Sequence, residues 1–139
     1  MTTGIDLGRP QAQAIRSDED VVRVRQLVRT VAVAVKLSLV DQTKLVTAAS
    51  ELARNTLVYG GGGNVEVMTA DNGVRRGVRI VFADSGPGIA DLDLALTDGY
   101  TTGGGLGLGL SGARRLVDEF DIETAVGKGT RITVTKWSR

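Results

Sequence analysis

The sequence predicts an α/β (α+β) two-layer sandwich: a mixed, mainly antiparallel sheet covered on one face by helices. Three observations predict it. Three longer segments carry helical periodicity, four or five short segments have strand composition, and the strands are joined largely by hairpin signals. Hairpins pair neighbours antiparallel, and helices with one apolar stripe need a face to bury it against. At 139 residues the chain is expected to be one domain, 1–139, with a loose leader over 1–10.

The elements follow in order. Gln11 to Arg16 alternates weakly and reads as an edge strand. Ser17 is a good N-cap, and Asp18, Glu19 and Asp20 sit where the helix dipole favours acids. Val21, Val24, Val28, Val31 and Val35 then form one helical stripe, with Arg23, Arg25 and Arg29 off it. The stripe lasts under three heptads, so it reads as a helix packed on a sheet before it reads as a coiled-coil seam. Ser38 caps a second helix, with Asp41 three residues on in a capping-box-like arrangement. That helix runs to about Tyr59 and stops at Gly60-Gly61-Gly62-Gly63. Asn64 to Ala70 and Gly77 to Ala83 read as strands, joined through Asp71-Asn72-Gly73. Asp84-Ser85-Gly86-Pro87-Gly88 breaks the second strand, and Asp91 to Thr97 reads as a short helix. A further helix is expected to continue over Ala113 to Phe120. Asp121 to Ala125 and Thr130 to Lys136 form a closing hairpin around Val126-Gly127-Lys128-Gly129.

Composition removes several chemistries. With no cysteine there is no disulfide framework and no thiolate, and with no histidine there is no Ser-His-Asp triad, no His-ligated zinc and no phosphohistidine. Seventeen basic residues against sixteen acidic give a net charge of +1, which points to neither nucleic acid nor an anionic membrane as partner. No apolar run approaches a membrane span and the first sixteen residues are too polar for a signal peptide, so a cytoplasmic protein is expected.

One stretch concentrates the functional signal: Thr101-Thr102-Gly103-Gly104-Gly105-Leu106-Gly107-Leu108-Gly109-Leu110, followed at once by a helical pattern from Ser111. Glycines let backbone N–H groups approach a ligand closely, and a helix opening there adds unpaired donors, so the stretch reads as a phosphate cradle that also moves as a lid. Its G-x-G-x-x-G match, Gly107 to Gly112, lacks the strand before and the βαβ unit after that a dinucleotide fold needs. Glu51 and Asn55 lie four apart and share a helix face. Such a pair is usually a solvated face, but a carboxylate there can take a proton from a nucleophile, and the amide oxygen can ligate a hard cation such as Mg²⁺. Asp84 ends an apolar strand beside Gly86 and Gly88. It can make a strand-ending Asx turn, or accept from an exocyclic amine while the turn admits a flat base. Gly127-Lys128-Gly129-Thr130 fails the Walker pattern and reads first as a hairpin turn.

The order and spacing of these segments say more than any one of them. Glu51-x-x-x-Asn55, Asp84-x-Gly86-x-Gly88, the glycine loop and Gly127-x-Gly129-Thr130 together resemble the GHKL family of ATPases and kinases, with its Bergerat ATP-binding fold, over about Gln13 to Trp137. The resemblance implies Glu51 as catalytic base and Asn55 as Mg²⁺ ligand. It implies Asp84 as the adenine-reading carboxylate, with Gly86 and Gly88 shaping the base pocket and Thr130 as a second, water-mediated adenine contact. Thr102, Gly103, Gly104, Gly105, Leu106, Gly107, Leu108 and Gly109 become the lid over the phosphates, and ATP with Mg²⁺ the cofactors. Glu51-Leu52-Ala53-Arg54-Asn55-Thr56, Asp98-Gly99-Tyr100 leading into the glycine loop, and Val117-Asp118-Glu119-Phe120 are similar to the small serine/threonine kinases of bacterial partner-switching stress systems. That implies a STAS-domain antagonist protein as substrate, and allows a phosphatase docked on the valine-striped helix, or a homodimer. The anti-sigma-factor branch, which sequesters a sigma factor, is the alternative. A histidine-kinase module is not expected, for lack of a histidine, nor a gyrase- or chaperone-type ATPase, for lack of a transducer segment.

Overall fold

The computed structural model describes residues 9–96 and 109–139. Their elements are β1 (Gln11–Ile15), α1 (Asp18–Ala34), α2 (Leu39–Val58), β2 (Gly63–Asp71), β3 (Arg76–Asp84), α3 (Leu92–Ala95), α4 (Gly109–Arg115), β4 (Glu119–Ala125) and β5 (Gly129–Trp137). The five strands form one sheet in the order β1-β2-β3-β5-β4, and its four ladders are antiparallel. α1 and α2 pack on each other and on this sheet, giving the expected two layers.

The register explains the layering. Directly paired residues share a sheet face. One row reads Val65, Phe82, Ile132, Ile122, and the next Val67, Ile80, Val134, Phe120. Both rows belong to the apolar core under the helices. From α1 and its C-cap the core receives Val21, Val24, Val28, Val31 and Val35, each at most 4% exposed. The valine stripe is therefore interior, and docking a phosphatase through it is ruled out by burial. α1 turns Val22, Arg25, Arg29 and Val33 outward instead.

Both long helices start as their caps dictate. The Ser17 hydroxyl accepts from the Asp20 N–H at 3.3 Å, and the Asp20 carboxylate accepts from the Arg16 N–H at 2.8 Å. That backbone bond, helped by the neighbouring Arg23, holds the Asp20 carboxyl below its ordinary value. The Ser38 hydroxyl accepts from the Asp41 N–H at 3.1 Å, but the reciprocal half of the box is missing. The Asp41 carboxylate faces the ammonium of Lys136, 3.6 Å away, and the guanidinium of Arg139. Lys136 projects from β5 into the interior at 5% exposure, with Asp118 as its second carboxylate at 3.7 Å. A buried ammonium needs countercharge more than the helix needs a second cap bond.

One expectation needs correction, and one turn is unexpected. The helix expected over Ala113 to Phe120 ends at Arg115, and Glu119 and Phe120 already belong to β4. Phe120 pairs with Val134 on the inner face, and burying that ring outweighs another helical turn. The link from α1 to α2 carries no glycine, yet Lys36 adopts φ 65°. It occupies the left-handed position of a Schellman turn: Lys36 N–H donates to Val33 and Leu37 N–H to Ala32, both at 3.0 Å.

Lys36→Gly removes the side chain from a left-handed backbone and is expected to stabilise the fold by about 1 kcal/mol, read from the urea midpoint. Lys136→Ala leaves two carboxylates without their buried partner and is expected to cost about 3 kcal/mol in the same measurement.

Candidate functional site

α2 sets up the first wall of the site. Leu45, Ala48, Ala49 and Leu52 are fully buried against the sheet, which fixes the rotation of the helix. Glu51, Asn55 and Tyr59, four residues apart in turn, then line a cavity of about 330 Å³. Glu51 is only 5% exposed. The helix finishes just beyond them, where Tyr59 and Gly60 both donate to the Asn55 carbonyl, at 2.9 and 3.2 Å.

The second wall is the end of the sheet. β3 finishes at Asp84 and β5 begins beside it, with Thr130 directly paired to Asp84. Paired residues share a face, so a carboxylate and a hydroxyl stand together at the cavity wall. Asp84 also makes the Asx turn, its Oδ1 accepting from the Gly86 N–H at 2.9 Å. The two readings of Asp84 are therefore compatible, because a carboxylate has two oxygens. Gly88 has φ 76° and lies so close to the carbonyl of Ala125 that a side chain has no room. The Gly127 N–H donates to the Pro87 carbonyl at 2.7 Å, clamping the β4–β5 hairpin onto this loop.

One further hydroxyl ties the wall together. Thr124 Oγ1 accepts from the Ile89 N–H at 2.9 Å and donates to the Gly129 carbonyl at 3.1 Å, while lying 2.9 Å from Thr130 Oγ1. The two hydroxyls share one hydrogen bond, in which either can donate. Thr130 thus brings a hydroxyl to the cavity beside the Asp84 carboxylate.

The structure thus brings Glu51, Asn55, Asp84, Gly88, Gly109 and Thr130 to one cavity. Gly86 does not line it but packs beneath, against Gly60. Gly109 opens α4 with φ 62°. The other lid residues, Thr102 to Leu108, lie outside the described residues. The sequence reading missed Tyr59, Gly60, Ile89, Leu94, Leu110 and Ile132. Tyr59 continues the four-residue spacing of Glu51 and Asn55, and Ile132 the two-residue spacing of Thr130, so periodicity alone could have found both. Ile89 comes from an irregular connection and Leu94 from the one-turn helix α3, too short to show such a spacing.

The chemistry is two-sided. Glu51 and Asn55 offer hard oxygens, Asp84 and Thr130 offer acceptors, and apolar groups of Ile89, Leu110 and Ile132 lie in the wall with them. A flat heterocycle with a donor edge and an anionic, metal-binding tail satisfies both sides. The volume lies within the roughly 300–1,000 Å³ common for small-ligand sites. Among the described residues no three His, Cys, Asp or Glu side chains cluster to hold a metal by themselves. The donor set fits Mg²⁺, which is commonly held by one or two protein oxygens together with substrate phosphates. No helix among the described residues is long and apolar enough to cross a membrane.

Comparison with known proteins gives the same picture. Residues 40–138 match the histidine kinase-, DNA gyrase B- and HSP90-like ATPase family. The chain is 44% identical over 126 residues to the serine/threonine-protein kinase RsbT of Bacillus subtilis (strain 168), covering 90% of this chain and 94% of the relative. It is 31% identical over 116 residues to the anti-sigma F factor of Clostridium novyi (strain NT), covering 76% and 81%. Among solved structures, the RsbU and RsbW domains of a Mycobacterium tuberculosis protein superpose with a TM-score of 0.66 at 24% identity. That match covers 94% of this chain but only 33% of the other. The mycobacterial sensor histidine kinase MprB superposes with a TM-score of 0.56 at 19% identity, over 94% of this chain and 99% of that one. The fold, the cavity and these matches agree: the chain belongs to the histidine kinase-, DNA gyrase B- and HSP90-like (GHKL) ATPase family.

Proposed function

We propose that this protein is an ATP- and Mg²⁺-dependent serine/threonine protein kinase of a partner-switching stress pathway, acting on a STAS-domain antagonist protein. One observation carries the site reading: a carboxylate–amide pair from α2 and a carboxylate–hydroxyl pair from the sheet end face a single cavity. The likeness to a named serine/threonine kinase along nearly its full length supports the reaction.

Each residue has a task in that reading. Asp84 accepts from the 6-amino group of adenine, and Thr130 adds a second acceptor through water. Gly88 lines the base pocket without a side chain, and Gly86 shapes it from outside by letting the loop sit against Gly60. Asn55 would hold Mg²⁺, which supplies charge neutralisation between the phosphate groups when bound. Thr102 to Gly109 would form the lid over the phosphates, with the N–H groups of Gly105 to Gly109 binding their oxygens. Glu51 orients the substrate hydroxyl and takes its proton as that oxygen bonds to the terminal phosphorus and the bond to the leaving ADP breaks. Its near-complete burial suits a base that must act on one positioned hydroxyl, away from competing water.

A second reading, an anti-sigma factor with kinase activity toward an anti-anti-sigma STAS protein, is favoured by the Clostridium novyi relative. Capture of a sigma factor by the purified chain distinguishes it from the first. A downstream phosphatase or a second copy of the chain remains a partner on either reading, through a surface other than the valine stripe.

Incubation with labelled ATP, Mg²⁺ and STAS-domain proteins is expected to label a serine or threonine of the partner. Glu51→Ala is expected to bind ATP almost normally and to lose transfer by about 10²–10⁴-fold, the scale of a lost general base. Asp84→Asn is expected to weaken ATP binding by roughly 1.5–3 kcal/mol, as for a charged hydrogen bond. Unchanged calorimetric affinity in Asp84→Asn removes the adenine assignment.

A further inference from the structure

Gly60 looks at first like part of a helix stop, one of four consecutive glycines after α2. The backbone does not need glycine there. Gly61 and Gly62 take the left-handed conformations, φ 73° and 100°, while the φ of Gly60 lies outside that region. What Gly60 lacks is room. The three atoms nearest to a Cβ placed on it all belong to the Asp84 side chain: Cγ, then Cβ and Oδ2, the last two at 2.6 Å. Gly61, by contrast, has open space around the same position.

The geometry also says which part of Asp84 is threatened. Oδ1 is held by the Gly86 N–H, so Oδ2 is the oxygen left for a ligand. Oδ2 is also the oxygen a methyl at position 60 would meet. Moving the carboxylate aside would pull Oδ1 from Gly86. Moving the whole loop away is resisted as well, because Asp84 is paired with Thr130, its carbonyl packs against Gly129, and the Gly127 N–H holds the Pro87 carbonyl at 2.7 Å. The carboxylate thus has one orientation that satisfies Gly86, and that orientation requires position 60 to be bare.

We propose that Gly60 is a specificity-determining positioning residue: its missing side chain lets Asp84 hold Oδ2 toward the 6-amino group of the bound base. This rests on the reading of Asp84 as the adenine contact. It assigns to the end of α2, which carries Glu51 and Asn55, a part in base selection as well.

Calorimetry with ATP and with purine riboside triphosphate, which lacks the 6-amino group, tests it. The native chain is expected to prefer ATP by about tenfold or more, the worth of a charged hydrogen bond. Gly60→Ala is expected to bring that preference down to the level of Asp84→Asn, with the analogue's own affinity nearly unchanged. Gly61→Ala, which strains the same helix end but touches nothing, is expected to lower the melting temperature and keep the preference. A Gly60→Ala protein that retains the native preference overturns the proposal while leaving Asp84 in place. An Asp84→Asn protein with the native preference overturns both. If Gly60→Ala does not fold, the double variant Gly60→Ala/Asp84→Gly decides. Recovery of the native circular dichroism supports the steric conflict, and a double variant as unfolded as the single one overturns it.

Discussion

The packing of α2 along the inner face of the sheet is the constraint on which the rest of the molecule depends. Leu45 and Leu52 are fully buried there, each worth roughly 1.5–3 kcal/mol against exposure. A cap such as Ser38 is worth about 1 kcal/mol. The apolar face therefore sets the rotation of the helix, and the cap only sets where it begins. Once rotation is fixed, Glu51, Asn55 and Tyr59 have nowhere to face but the cavity.

The two ends of α2 are held differently. At the start, Asp41 meets Lys136 and Arg139, which come from the last residues of the chain. That contact ties the helix to β5 through buried charges and gives its position along the sheet a polar check. At the other end the helix stops in glycines, and its backbone touches the loop after β3 without side chains between them. Close backbone contact lets two elements carrying different parts of the site move as one piece. A cavity built from a helix and a sheet end would otherwise vary in width with every fluctuation of either.

The sheet order supplies the remaining proximity. β5 inserts between β3 and β4, so it pairs on both edges inside the sheet. Asp84 and Thr130, far apart in sequence, become cross-strand neighbours. Thr124 on β4 then reaches both Thr130 and the Ile89 backbone, linking three segments of the wall through one hydroxyl.

By itself the sequence determined the two-layer class, both long helices, the hairpins and the residue types available for the site. Those follow from periodicity, caps and turn chemistry, which are local. It misread Phe120 as helical because its neighbours have helical spacing, while its real partner, Val134, is on another strand. It read Asp41 as half of a capping box because Lys136 is invisible from there. It took Gly60 for a stop signal because nothing local reveals Asp84 beside it. Only the tertiary structure decided that Phe120 joins the sheet, that Asp84 stands beside Thr130, and that position 60 must be bare. Each of these is a contact between segments distant in the chain, set by how the buried faces of helix and sheet fit together rather than by any residue's own preference.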